Sequence, residues 1–306
     1  LRGDVTVDES GHAARNLKFS VGPSAFTGAL SRHADDGLFE GSLALVSSDI
    51  SALAALALQE ANGAIRARIS LDRTETGQQV TLKGNIKSIR YGDITVSDGL
   101  VDGAIQNALG VPAITGDVIV TKMQAFGVGV ASLTARAKQD GPGTSLAIRT
   151  ALENGAVLEV GGSLTELAEG YTADLERLDL TQGQKLVSLA RSAGIEVTGD
   201  AVRINALDLS IGAGNLRISG EIADAFNLAL DARDIPLEVA NAIRPDLGIS
   251  GALNGQAGVS GPRSNPAFAF DIDAKDVSSD VIRDAGLPPV SVYARGKTEA
   301  GNLQLN

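Results

Sequence analysis

The chain has 306 residues, a formal net charge of −11 and no cysteine. The acidic balance and the scattered basic residues exclude a phosphate-binding face for nucleic acid. The missing cysteines exclude a disulfide framework and thiolate metal sites. Only 3% of residues are aromatic and none is Trp, so the interior must be filled by Val, Ile, Leu and Ala. That suits a thin or repetitive core better than a thick globule.

In chain order, Asp49-Ile50-Ser51 opens an expected short helix to Glu60, with Leu53, Leu56 and Ala57 on one side and Asn62-Gly63 as its stop. Alternation follows, with Val80, Leu82, Gly84 and Ile86 opposite Thr81, Lys83 and Asn85. A second helix is expected over Leu100–Leu109, ended by Gly110, and a turn at Asp140-Gly141-Pro142-Gly143. Leu146, Ile148, Thr150 and Leu152 alternate up to the turn Glu153-Asn154-Gly155. A third helix is expected over Gln182–Ala193, with Thr181 as cap, Leu186, Leu189 and Ala190 on one face, and Gly194 as terminator.

Beyond it the period of two is persistent. Leu207, Leu209 and Ile211 are separated by Asp208 and Ser210; Leu216, Ile218 and Ile222 by Arg217, Ser219 and Glu221. Phe226, Leu228 and Leu230 follow, then Phe268, Phe270 and Ile272 against Asp271 and Asp273. Gly212-Ala213-Gly214-Asn215 and Ser260-Gly261-Pro262 supply turn chemistry. Short helices are expected over Pro236–Ile243 and Ser279–Ala285. One apolar face and one wet face along each run predict an antiparallel sheet exposed on one side. The segment Glu238–Gly261 loosely echoes Asp49–Leu71, a weak and irregular repeat. No Pro/Ser linker divides the chain, so residues 1–306 are expected to form one elongated array.

Motifs that would carry chemistry are weak. His12 and His33 stand outside any metal or triad spacing. Gly296-Lys297-Thr298 lacks the first glycine of a phosphate loop, because Ser291–Arg295 alternates like a strand. Asp271, Asp273, Asp276 and Asp280 miss the calcium-loop register at Lys275 and Val277. Arg2-Gly3-Asp4 is a chance tripeptide in a strand-like stretch. The chain begins at Leu1 and ends at Asn306 in mid-alternation, without a leader or a 20-residue apolar run. The expectation is therefore a non-catalytic stretch of a longer extracytoplasmic protein, with no cofactor and no metal.

The most specific segment runs from Gly214-Asn215-Leu216-Arg217-Ile218-Ser219-Gly220 through Asp234-Ile235-Pro236-Leu237 and Pro245-Asp246-Leu247-Gly248-Ile249-Ser250-Gly251. It continues with Ala252-Leu253-Asn254-Gly255, Gly258-Val259-Ser260-Gly261 and Asn265-Pro266 to Phe268–Ala274. This order resembles the repeating unit of the TamB family, related to AsmA-like proteins, and the resemblance is strongest over residues 200–275. It implies a mostly β fold: an elongated, antiparallel-rich sheet curled into a U-shaped groove of β-taco type, with a few short helices. It also implies a periplasmic segment of a protein anchored in the inner membrane, working with an Omp85-type outer-membrane partner (TamA-like).

The implied role is phospholipid transport between inner and outer membrane, with support of outer-membrane protein assembly. The apolar members of the alternating strands are the candidate acyl-chain lining: Val80, Leu82, Ile86, Leu146, Ile148, Leu207, Leu209, Ile211, Leu216, Ile218, Ile222, Phe226, Leu228, Leu230, Phe268, Phe270 and Ile272. The alternative is a strand-binding chaperone or scaffold that receives outer-membrane β-strands by augmentation.

Overall fold

The computed structural model describes residues 2–8, 11–75, 77–109, 113–141, 143–167, 169–299 and 302–305. Leu1, Gly110, Pro142 and Asn306 lie outside the described residues. The chain divides into two compact units, Leu1–Ala151 and Leu152–Asn306.

Unit 1 is a meander of β1 (Arg2–Asp8), β2 (Gly11–Val21), β3 (Ser24–His33), β4 (Phe39–Ser47), helix α1 (Ser51–Leu56), β5 (Ala61–Thr74), β6 (Gly77–Tyr91), β7 (Ile94–Gln106), β8 (Ala113–Ala125), β9 (Val128–Asp140) and β10 (Gly143–Leu152). From β1 to β9 each strand pairs antiparallel with the next, and β10 pairs with β9.

Unit 2 continues with β11 (Val157–Leu167), β12 (Gly170–Gln182), β13 (Gln184–Leu189), β14 (Ala193–Thr198), β15 (Ala201–Ile211), β16 (Gly214–Ile222) and β17 (Ala225–Pro236). Two 3-10 turns, Leu237–Ala242 and Pro245–Leu247, lead to β18 (Ser250–Pro262), β19 (Ala267–Ser278), helix α2 (Asp280–Asp284), β20 (Val290–Glu299) and β21 (Asn302–Leu305). The fold is thus mostly β and antiparallel, with a few short helices, as the alternation predicts. Two-residue turns such as Gly212-Ala213 are allowed because Gly212 takes φ +57°, which matches the strand twist at no cost to a missing side chain.

Two expected helices are strands. Leu100–Leu109 lies largely in β7, because Val101, Gly103 and Ile105 alternate onto the apolar face and pair with β6 and β8 on both sides. β-branched residues and glycine also disfavour helix.

Gln182–Ala193 is split into β13 and β14. Both half-strands pair with β12 on one side and β15 on the other, so together they fill one strand position. The three residues Ala190–Ser192 between them form the interruption. Arg191 is held there by Asp208 at 2.5 Å, and the Ala190 N–H donates to the Asp208 carbonyl at 2.9 Å. Two open ladders outweigh a marginal local helix preference.

Helix α1 starts where expected, with the Asp49 carboxylate accepting from the Ser51 N–H at 3.0 Å, but it ends at Leu56, and Asn62-Gly63 belong to β5. The expected turn at Ser260-Gly261-Pro262 is still strand, and Arg263-Ser264 make the turn. The Pro236–Ile243 helix is present as a 3-10 turn, and α2 is capped by Ser279, whose hydroxyl accepts from the Ile282 N–H at 3.4 Å.

Candidate functional site

Register places the apolar candidates of each unit on one face. In unit 1 the cross-strand rows read Leu71–Val80–Ile105–Ile114, Ile69–Leu82–Gly103–Gly116–Ala137 and Ala67–Gly84–Val101–Val118–Ala135. Ile86 sits one row further along, between Ile65 and Gly99. The intervening row carries the opposite face: Arg68, Lys83, Asp102, Asp117 and Arg136. Lys83 meets Asp102 at 3.1 Å and Arg136 meets Asp117 at 2.5 Å. A one-residue slip would put this ion ladder on the apolar face, so the register is strongly specified.

In unit 2 the rows read Leu207–Ile218–Leu230–Ala257–Phe270–Gly296 and Leu209–Leu216–Ala232–Gly255–Ile272–Ala294. A flanking row is Ile204–Gly220–Leu228–Val259–Phe268, and Ile222 pairs with Phe226 beside it. Ile211 pairs with Gly214 at the other end of the same face. The wet face bears Asp208–Arg217–Asp231–Gln256–Asp271–Arg295.

Little covers these apolar faces. Among the described residues, only Val96, Val130, Ala156, Leu180, Ala193, Ala232 and Ala242 are buried hydrophobics. Leu82, Leu146, Ile148 and Phe268 are exposed, and the other candidates are half-buried. In unit 1 the face of β5–β10 encloses an apolar cleft of about 370 Å³. Val80, Leu82, Leu146 and Ile148 line it, together with Ile69, Val101, Ile105, Ile114 and Val118.

Side chains from six successive strands reach one cleft only if the sheet is curled about it. Gly116 fits that geometry: it takes φ +143°, and a Cβ there would lie 2.4 Å from the Asp102 carbonyl oxygen and 2.4 Å from Gly103 Cα. The backbones approach too closely for any side chain on the inside of the bend. Val101 and Ile105 were hidden from the sequence reading by the helix assigned to that segment. Their alternation with Asp102 and Ala104 was the signal that could have found them.

A cleft of about 630 Å³ in unit 2 lies on the wet face. Its floor is the small-residue row Ser219–Ala229–Gly258–Ala269, flanked by Arg217, Asp231, Gln256, Asp271, Arg295 and Lys297. Leu230 and Phe270 border it; the remaining unit 2 candidates do not. The charges here answer one another. Asp231 is held below its ordinary range first by the Arg233 hydrogen bond, with Gln256 adding a second donor at 3.0 Å. Arg295 is raised by its hydrogen bond to Asp271. The sequence carried no local signal for this cleft, because its four small residues come from four strands and meet only in register.

Elsewhere, His33 pairs with Glu40 at 3.0 Å. Among the described residues no three His, Asp or Glu side chains gather as a metal site, and no helix is long and apolar enough to cross a membrane. No protein-family model, curated protein or solved structure matches this chain.

Proposed function

We propose that the chain is a non-catalytic, periplasmic segment of a TamB-like protein, in which the apolar sheet face carries phospholipid acyl chains between the inner and outer membranes. On this reading the segment also supports outer-membrane protein assembly beside an Omp85-type partner, and its anchor lies in the inner membrane. The observation that carries it is the apolar cleft of β5–β10, lined by aliphatic side chains on a face that, among the described residues, has no second layer.

An apolar face left in water is unfavourable, and each methylene moved onto it from water contributes ~0.8 kcal/mol. A dry cavity of ~150 Å³ already holds benzene, so this cleft accommodates a stretch of alkyl chain without specific polar contacts. The test is native mass spectrometry with lipid extraction on protein purified from a bacterial periplasm. Copurifying phospholipid is expected, reduced in Leu82→Arg and in Ile218→Arg, because a charge among acyl chains is costly. A stable, lipid-free protein would favour the strand-binding scaffold and reject the groove.

A further inference from the structure

We infer that the end of unit 1 that bears α1 is a bilayer-contact site, at which Leu56, Leu58 and Phe126 enter the interfacial zone of a zwitterionic phospholipid membrane. The inference stands apart from the acyl-chain cleft, whose lining does not include these residues. One cross-strand row, Ala61–Tyr91–Ile94–Ala125–Val128, closes this end of the sheet. The α1–β5 connection, the Gly92-Asp93 turn and the Phe126-Gly127 turn all project beyond it. On these tips Leu58 is 92% exposed, Leu56 69% and Phe126 69%.

Two of the three are held out on unfavourable backbone. Leu58 takes φ +55° and Phe126 φ +50°. Left-handed backbone is disfavoured for any residue with a Cβ, and a turn built only for solubility would use Gly, Asn or Asp there. Local preference and hydration both oppose exposed apolar side chains at these tips, and a low-polarity surface outside the chain relieves the second. Tyr91, half-exposed on the closing row, donates its hydroxyl to Gln59 Oε1 at 2.8 Å and so ties the Leu58 loop to the strand end. An amphipathic aromatic beside Leu and Phe is the composition of a membrane–water interface.

The alternative occupant, a second protein surface, is poorly matched. A stable interface removes ~800 Å² per partner. Here the tips of β5 and β8 stand three strand spacings apart, roughly 14 Å, with the polar Gly92-Asp93 turn between them. A fluid bilayer takes up isolated side chains one at a time, whereas a protein needs a continuous complementary patch. Along the segments that reach this end, the acidic Asp49, Glu60 and Asp93 are interspersed with the basic Arg66, Lys87, Arg90 and Lys122, a mixture of both signs that suits a zwitterionic surface.

Because the chain has no Trp, one introduced indole reports from one place. Leu58→Trp is expected to shift its emission to the blue on adding phosphatidylcholine vesicles and to be quenched by brominated lipid. Glu75→Trp, in the turn at the far end of β5, is expected to do neither. Phe126→Asp in the Leu58→Trp chain should abolish the shift while leaving the strand circular dichroism unchanged. Unchanged emission overturns the assignment, as does an equal response at position 75. A shift that grows with protein concentration in the absence of vesicles points to a second copy and overturns it too. A response confined to anionic vesicles would reject the zwitterionic surface.

Discussion

The apolar face of unit 1 stays uncovered over β5–β10, whereas unit 2 supplies part of its own second layer. There the chain leaves β17 at Pro236, and the 3-10 turn Leu237–Ala242 folds back over the start of β11 and over β12–β13. Ala242 is buried against Ala156 and Leu180, with Leu152, Leu158, Leu186, Val187 and Val239 around them. Asn154 fastens this plug: its Nδ2 donates to the Ala242 carbonyl at 2.9 Å, and its Oδ1 accepts from the Ala156 N–H at 3.0 Å. Asn241 brackets Ile249 by donating to its carbonyl at 2.8 Å and accepting from its N–H at 2.9 Å. Six residues of tight helix are enough to bury a corner of a sheet. Where no described connection returns, as across β5–β10, the face stays available. The lesson is that openness here is decided by the connections, since the strands of both units alternate alike.

The sharpest test of that contrast compares two leucines. Leu180→Ala should destabilise unit 2 by about 3 kcal/mol, the usual cost of a buried leucine whose site collapses only in part. Leu82→Ala in unit 1 should cost under about 1 kcal/mol, because its side chain is already partly in water. Chemical denaturation followed by site-resolved hydrogen exchange separates the units. Equal costs would mean that the unit 1 face is covered in solution. Next, Gly116→Ala should destabilise unit 1 by about 2 kcal/mol, through the backbone contact and the positive φ. It should also open the curl and reduce the acyl-chain capacity of the cleft. A neutral change in both would show that curvature there does not depend on the missing side chain.

Asn154→Ala comes third. Removing the side chain strips a donor from the Ala242 carbonyl and an acceptor from the Ala156 N–H, groups that are buried or nearly so. The expected loss is about 1–2 kcal/mol, with faster exchange of the Leu237–Ala242 amides and no change in unit 1. Unaltered exchange in that turn would mean that apolar contact alone holds the plug.

How much of this was legible depended on whether the signal was local. The shared face of Leu207, Leu216, Ile218, Leu228, Leu230, Phe270 and Ile272 could be read directly, because the period of two is unbroken over these runs and turns such as Gly212-Ala213 mark the reversals. Leu186, Leu189 and Ala190 imitated a helical face because β13 is irregular: its register against β12 skips Leu186, and Leu186 and Val187 both pack on the core. The Ala156–Leu180–Ala242 core was invisible. It joins small residues up to 86 positions apart, and alanine carries almost no amphipathic signal. The wet-face cleft of unit 2 was missed for a related reason, since small residues at outward positions read as neutral until register stacks them. The curl of unit 1 was half-written, in glycines at inward positions such as Gly103 and Gly116, but their pairing across strands comes only from the structure.

The smallest effect concerns acid. In unit 2, Asp179 lies below its ordinary value of 3.8, first through the Lys185 hydrogen bond and then through Arg177; Asp231 is lowered by Arg233, and Asp246 by Arg244. A depressed carboxylate stabilises the fold above its unfolded pKa. That contribution is lost as pH falls from near 3.8 through the lower folded value, where the unfolded chain takes up protons first. Unit 1 has Asp35, lowered by Arg73, and Asp49, lowered chiefly by the Ser51 N–H. All these groups are close to solvent, so each contribution is small, and the ion-paired ones weaken with salt. Asp49 differs, because its principal partner is a backbone donor and salt screens it less. In hydrogen exchange below pH 4, added salt should therefore flatten the acid response of unit 2 more than that of the α1 region. Asp179→Asn should flatten part of the unit 2 response without salt. An acid response of unit 2 that ignored both would locate its loss in protonation elsewhere on the wet face.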